Sequence, residues 1–472
     1  MRETIRVHPG LSPISVDCSF REKNTFNTFC MHTIPHIVSD VDNIFWTKDV
    51  TRASLSFPAI WHASLALGAV HLYLQVRETL KSAAAQCGSQ NNYVFALTHY
   101  NIAVQQLMHL AQQDTVDRTS QEVVLMANIL FTTICALLGD TKELMMHARH
   151  GLQLFYQWRL WDDGKDGPGC QIDSLLTKHS VSLLMNRMEG QFVGNGQPRP
   201  WHRTSPVRLG SNAPFRNIED AFLELQPLMS GLTEMVRPGA AYQGAAECTR
   251  PIPYARLPYY QAIERWKTKC QDLKNRLRLE DEGGRASDLS LKLWLVRIKV
   301  MCQQDLASSG LAWDGLYGAF EEIVCYAGRM VAERAAKTKA KTGQTVAGGS
   351  LYGPSLRDAL HFVAEQCRDP LLRRRALSLM ATMPRRVGLW DTKLLVAMTT
   401  ARIEVEEGGA ALHGTPAAEN CTCVRGRYVC LWHRIETAAI AEFLPDGTAR
   451  LSLMTVGHVV TQQPGHSMII TW

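Results

Sequence analysis

The sequence predicts a mainly α protein: a multi-helix antiparallel helical domain followed by a small β-rich carboxy-terminal segment. Three observations predict it. Apolar residues recur at three- and four-residue spacing through most of the chain, as in PAIWHASLALGAVHLYLQVRETLK, where Ala63, Leu67, Val70 and Leu74 share one helical face. Connections between the first periodic stretches are short, which makes neighbouring helices antiparallel. Only beyond Cys421 does the pattern change from helical to alternating.

Taken in order, the first helix is expected over 58–81, with Pro58 acceptable in the first turn, where its missing N–H would have had no partner. The second spans about 92–112, with Leu97, Tyr100, Val104 and Leu107 as its stripe. A third at 123–138 and a fourth at 141–158 complete a set of successive hairpins. Helices continue at about 173–191, 258–279, 287–308, 316–337 and 355–367. Asp369-Pro370 then places a capping carboxylate before a first-turn proline and starts LLRRRALSLMATM, and Asp391 opens a last helix through Glu407. Loops are expected at 194–217, 238–253 and 337–354, where proline, glycine and polar residues gather. YVCLW, TAAIAEFL, ARLSLMTV and SMIITW read as short strands. The expected organisation is an irregular segment 1–44, a helical domain 45–410 and a hairpin segment 411–472.

A chain of 472 residues has ample material for a large core. Its formal charge of +6 tolerates an acidic partner but lacks the concentrated positive charge of phosphate-backbone binding. Thirteen scattered cysteines, many inside apolar helical patterns, fit a reducing intracellular compartment. The start, MRETIRVHPG, has no apolar core of a secretory signal, so export is not expected and Asn420-Cys421-Thr422 is a glycosylation sequon in form only. The apolar run 123–139 is short for a membrane span, carries Asn128 and two threonines, and is flanked by Glu122 and Asp140. It reads as a buried core helix, and no membrane partner is expected.

CTCVRGRYVCLWH, from Cys421, packs three thiols and an imidazole into one short stretch. A tetrahedral zinc site takes such ligands as two close pairs, here Cys421 with Cys423 and Cys430 with His433. If RYVCLW is a strand beyond a turn at Arg425-Gly426, however, Cys430 and His433 fall on opposite faces. The expectation is therefore no metal site, and small buried thiols on a hairpin.

Several phrases together resemble the regulatory domain of fungal transcription factors of the binuclear zinc-cluster class. They are Phe45-Trp46, then FPAIWHASLALGAVH, ALTHYNIAVQQL, LFTTICALLGDTKELMMHARHGLQLF, NRMEGQF, CRDPLLRRRALSLM, VGLWDT and CTCVRGRYVCLWHRI, in that order across nearly the whole chain. The resemblance implies a helical regulatory fold and places the last phrase as a carboxy-terminal hairpin. Family members read DNA with a separate six-cysteine module. Here only Cys18 and Cys30 precede Phe45-Trp46, so no direct sequence-specific DNA contact is expected. Family members also often carry a glutamate four residues before the glycine that matches Gly139, where this chain has Cys135.

The sequence holds no phosphate loop, nucleophile elbow, HExxH or dinucleotide fingerprint. No cofactor is implied. His62, His71, His99, His147 and His150 lie on expected helices of the first half, where each reads first as a core or surface histidine. Together with Cys135, they can instead line a cavity between helices and move protons without a cofactor. Lys337, Lys339 and Lys341 read as a solvating linker rather than an import signal, and Arg373 to Arg375 as surface and salt-bridge material. Two functions compete. The first is a transcription-linked regulator of a fungal pathway of the secondary-metabolite kind, nuclear, acting through a small-molecule ligand or a DNA-binding partner protein. The alternative is a cytoplasmic, cofactor-independent isomerase or epimerase of a small metabolite, with Cys135, His147 and His62 as its catalytic candidates.

Overall fold

The computed structural model describes residues 18–38, 44–79, 83–111, 117–160, 174–193, 212–216, 252–277, 310–340, 356–383, 390–408, 421–424 and 426–472, with 220–221, 224–225, 228, 295–296 and 385 between them. The fold is mainly helical, with a three-stranded antiparallel sheet at the carboxy terminus. The chain divides into two compact units, one built chiefly from 1–188 and the other from most of the remainder. The terminal sheet lies inside the second unit.

In the first unit, the stretch expected to be irregular carries helix α1, Phe20–Thr28, started by a capping box between Ser19 and Glu22. The chain continues helically through a π turn to Ile37. α1 packs on α2, Pro58–Thr79, at Gly68, where a Cβ would stand 3.0 Å from the Thr25 carbonyl oxygen. That close approach needs a residue without a side chain. α3, Ala83–Ala111, is the antiparallel neighbour of α2 and begins well before its expected start. α4, Arg118–Leu138, and α5, Thr141–Gln157, are capped by Asp117 and Asp140. Gly139, left-handed with φ 78°, ends α4. Gly151 lets α5 lie on Asn128 of α4, since a Cβ there would meet its Oδ1 at 2.2 Å. α2 and α4 are each long and apolar enough to cross a membrane, but most of each is buried within the protein, as core helices are.

Buried carboxylates pin the turn that leads to α6, Lys178–Val193. Glu122 accepts from the Ser174 hydroxyl and the Leu175 N–H, each at 2.7 Å. Asp49 accepts from the Thr177 N–H at 2.7 Å and its hydroxyl at 2.9 Å. Each carboxylate so satisfies backbone donors that would otherwise be buried alone.

In the second unit, α7, Ile252–Leu277, starts before the expected 258 and runs through Pro258, forgoing one backbone hydrogen bond. The helix expected at 287–308 and the loops at 194–217, 238–253 and 337–354 lie largely outside the described residues. α8, Tyr317–Ala340, α9, Leu356–Gln366, α10, Pro370–Ala381, and α11, Thr392–Gly408, follow. Asp369 caps α10 through the N–H groups of Leu371 and Leu372, with Pro370 in the first turn, as the sequence predicts.

The sheet is a meander of β1, Ile435–Leu444, β2, Thr448–Thr455, and β3, His466–Thr471, with a short helix α12, Val456–Thr461, between the last two strands. Asp446 and Gly447, both at positive φ, form the hairpin turn. Ala449, Leu451, Leu453 and Thr455 alternate on its buried face, and α11 lies against the sheet. YVCLW is not a strand. Val424 and Tyr428 make a single bridge, and Leu431–His433 then turn in a 3-10 helix.

The arginine triplet also departs from expectation. Arg374 is half exposed and pairs with Glu407, but Arg373 is fully buried. Its partner is Glu406, itself fully buried, at 2.8 Å. Arg368 at 3.1 Å and Arg402 at 3.5 Å complete the cage around that carboxylate. Burial alone would raise Glu406, but the three guanidiniums and the Ile435 N–H overcome it and hold the group at about 2. Removing the carboxylate takes the fully buried anion from three buried cations, leaving Arg402 with Glu365 at 3.7 Å and Arg373 with Glu407 at 3.9 Å. Glu406→Ala should therefore cost about 3–5 kcal/mol in denaturant unfolding, and more than Glu407→Ala, which leaves the Glu406 carboxylate among its arginines. Because the folded value lies below the unfolded 4.5, this contribution is complete above about pH 4.5 and is lost as pH falls toward 2.

Candidate functional site

The three sequence-predicted residues fall into two separate clusters in the first unit. His62, on α2, faces His99, on α3, with their Nδ1 atoms 2.8 Å apart. Glu22 of α1 stands 3.9 Å from His99 Nε2. One ligand atom from each of Glu22, His62 and His99 lies within 4.8 Å of the others. A contact between two ring nitrogens holds one proton, as donor and acceptor, and a second would set two N–H groups against each other. Burial, with the neighbouring His62, pushes His99 down to about 4, and burial likewise lowers His62.

Cys135 and His147 form the other cluster, around Tyr100. The Tyr100 hydroxyl and His147 Nε2 are hydrogen-bonded at 3.0 Å, and Phe131 packs against both rings. Burial first, then the carboxylates Asp140 and Glu143, push the Cys135 thiol up to about 12. Tyr100 is raised to about 12, also chiefly by burial. His147 is lowered by burial, with Glu143 partly opposing. The remaining histidines are placed otherwise. His71 is buried between the Thr33 hydroxyl at 3.0 Å and Gln75 at 3.2 Å, and burial beside His36 and His32 takes it to about 4; His150 is exposed. Near pH 7, every one of the perturbed groups in these clusters other than Glu22 is uncharged.

A third cluster overturns an expectation. The 3-10 turn at Leu431–His433 curls the chain back, so Cys430 and His433 face the same point instead of opposite sides. His433 Nδ1 lies 3.1 Å from Cys430 Sγ, 3.2 Å from Cys423 Sγ and 3.6 Å from Cys421 Sγ. The Cys430 N–H donates to Cys423 Sγ at 3.2 Å. Burial pushes the Cys423 thiol up to about 12. Burial also acts to raise Cys430, but contact with Cys423 and the N–H groups of His433 and Thr422 bring it below its ordinary value. Sequence reasoning missed this convergence by extending the strand period through Trp432. The i to i+3 spacing of Cys430 and His433, which a helical turn places on one side, was the available signal.

Comparison with family models, with curated proteins and with solved structures finds no match for the chain.

Two measurements check the electrostatics of the first unit. In ring-proton NMR titrations, His71 and His99 should remain neutral from pH 8 down to pH 5.5. Their folded values lie below the unfolded value near 6.5, so their contribution to stability is present above about pH 6.5 and falls as pH drops toward 4. On brief alkylation of the folded protein at pH 7.5, the exposed Cys325 should react while Cys135 does not.

Proposed function

We propose that the protein is a transcription-linked regulator of a fungal pathway of the secondary-metabolite kind, working through a small-molecule ligand or a DNA-binding partner rather than through catalysis. The observation that carries this reading is the charge state of the groups buried between the first helices. Proton transfer is most effective when acid and base lie near the working pH. The Cys135 thiol, at about 12, lies far above it, and burial lowers the imidazoles of His147 and His62 as it does that of His99. Neutral, hydrogen-bonding side chains set among apolar helices instead suit recognition of an uncharged, partly polar molecule. The family resemblance points the same way, and a nuclear location follows from it.

One observation favours the isomerase alternative. His62 and His99 are hydrogen-bonded and the Glu22 carboxylate stands 3.9 Å from His99, so a carboxylate and two imidazoles, the groups that acid–base chemistry uses, lie together. The readings separate in a deletion strain in which transcripts of the neighbouring genes and the metabolite profile are followed in the same cultures. Regulation predicts that the transcripts collapse. Unchanged transcripts with an accumulated precursor or isomer would overturn it in favour of an enzyme.

A further inference from the structure

We infer that Cys421, Cys423, Cys430 and His433 form a closed structural site for one zinc ion. An imidazole nitrogen offers either one N–H or one lone pair, yet three sulfurs crowd His433 Nδ1 at 3.1 to 3.6 Å. A hydrogen bond can satisfy one of these contacts, and a thiol is a weak donor and acceptor. A cation at their centre satisfies all four atoms at once.

The spacing of the four atoms fits that cation. Tetrahedral bonds of about 2.3 Å to sulfur and 2.05 Å to nitrogen separate ligand atoms by about 3.6 to 3.8 Å along each edge. The four ligand atoms here all lie within 4.8 Å of one another, and the sulfur to nitrogen edges, 3.1, 3.2 and 3.6 Å, run from about 0.5 Å inside that spacing to equal to it, so a small outward shift seats the ion. Three soft sulfurs and one imidazole select zinc over magnesium or calcium, which take oxygen ligands. Binding releases the three thiol protons to solvent and oxidises nothing. The Cys430 N–H directed at Cys423 Sγ then stabilises the thiolate, as outer hydrogen bonds do at metal centres.

The surroundings are built to hold the ligands. Cys430 and His433 are buried, and the loop that carries Cys421 and Cys423 is closed by the Val424–Tyr428 bridge. Arg434, directly after His433, donates from Nε and Nη2 to the Val429 carbonyl, each at 3.0 Å, and pairs with Asp314 at 2.6 and 3.0 Å. The residues that flank Cys430 and His433 are thereby fixed to each other. With all four positions supplied by the chain, no position is left for a substrate or reactive water, so the ion is structural. This site, with one ion and a histidine ligand, differs from the six-cysteine DNA-reading module and is independent of the regulatory reading.

The test uses the full chain purified under reducing conditions, with any affinity tag removed. Elemental analysis should find one zinc per chain. Replacement by Co(II) should give the visible bands of a tetrahedral ion together with thiolate charge-transfer absorption. Changes in outer hydrogen bonds alone weaken such sites about 10–100-fold, so Cys421→Ser, which removes a ligand at the partly exposed edge, should weaken zinc by at least about 100-fold. Cys325→Ser, outside the cluster, should leave it unchanged. Failure of the intact protein to bind zinc or cobalt, or cobalt bands without thiolate character, would overturn the assignment. So would zinc held equally by the Cys421→Ser protein, which would place the ion elsewhere, as at Glu22, His62 and His99. If the serine variant fails to fold, the cobalt spectrum of the unaltered chain decides alone.

Discussion

The Glu406 carboxylate organises the second unit. It is fully buried, so it must be compensated, and the compensating groups come from two helices: Arg368 just before α10, Arg373 within it, and Arg402 one turn earlier on α11. The same carboxylate accepts the Ile435 N–H at 3.0 Å, while Arg402 donates to the Ile435 carbonyl at 2.8 Å. Both backbone groups of the first sheet residue are thereby fixed to α11. A buried ion pair is a poor source of net stability, because desolvation offsets its attraction, but it is intolerant of misplacement. Its effect here is to fix where the sheet begins.

From Ile435, the constraint passes backward along the chain. Arg434 is held between Asp314 and the Val429 carbonyl, and His433 follows in a 3-10 turn. That turn brings the imidazole to three thiols that a straight strand would have kept apart. A metal at this point ties the loop 421–433 to an element already anchored by Glu406, so the two features act in series. The first unit uses different means. Among its buried polar groups are neutral side chains paired with each other, as Ser54 with Ser64 and Thr33 with His71, and carboxylates that accept backbone N–H groups, as Glu122 and Asp49 do.

Legibility in the sequence followed the range of the interaction. Helices set by local period and capping were readable: Asp369-Pro370 marked the start of α10, and the α4–α5 hairpin lay where apolar spacing put it. α1 was not, because FREKNTFNT has little apolar periodicity and its helix rests on a capping box and on contact with Gly68. Arg373 read as surface because one arginine of a triplet cannot announce a buried partner thirty-three positions away. Of the candidate residues, His62, Cys135 and His147 were correctly placed on helices, but the pairings His62 with His99 and His147 with Tyr100 depend on how α2, α3, α4 and α5 meet. The thiols of the last segment were visible from the start. What hid their convergence was a single turn of backbone, at a point where aromatic and β-branched residues imitate a strand.

The most direct test is X-ray absorption at the zinc edge of the purified 472-residue chain. The account predicts a first shell of three sulfurs at about 2.3 Å and one nitrogen at about 2.0 to 2.1 Å. A first shell made only of nitrogen and oxygen would contradict it, because it would place the metal away from the thiols that the Glu406 clamp and the turn at His433 bring together.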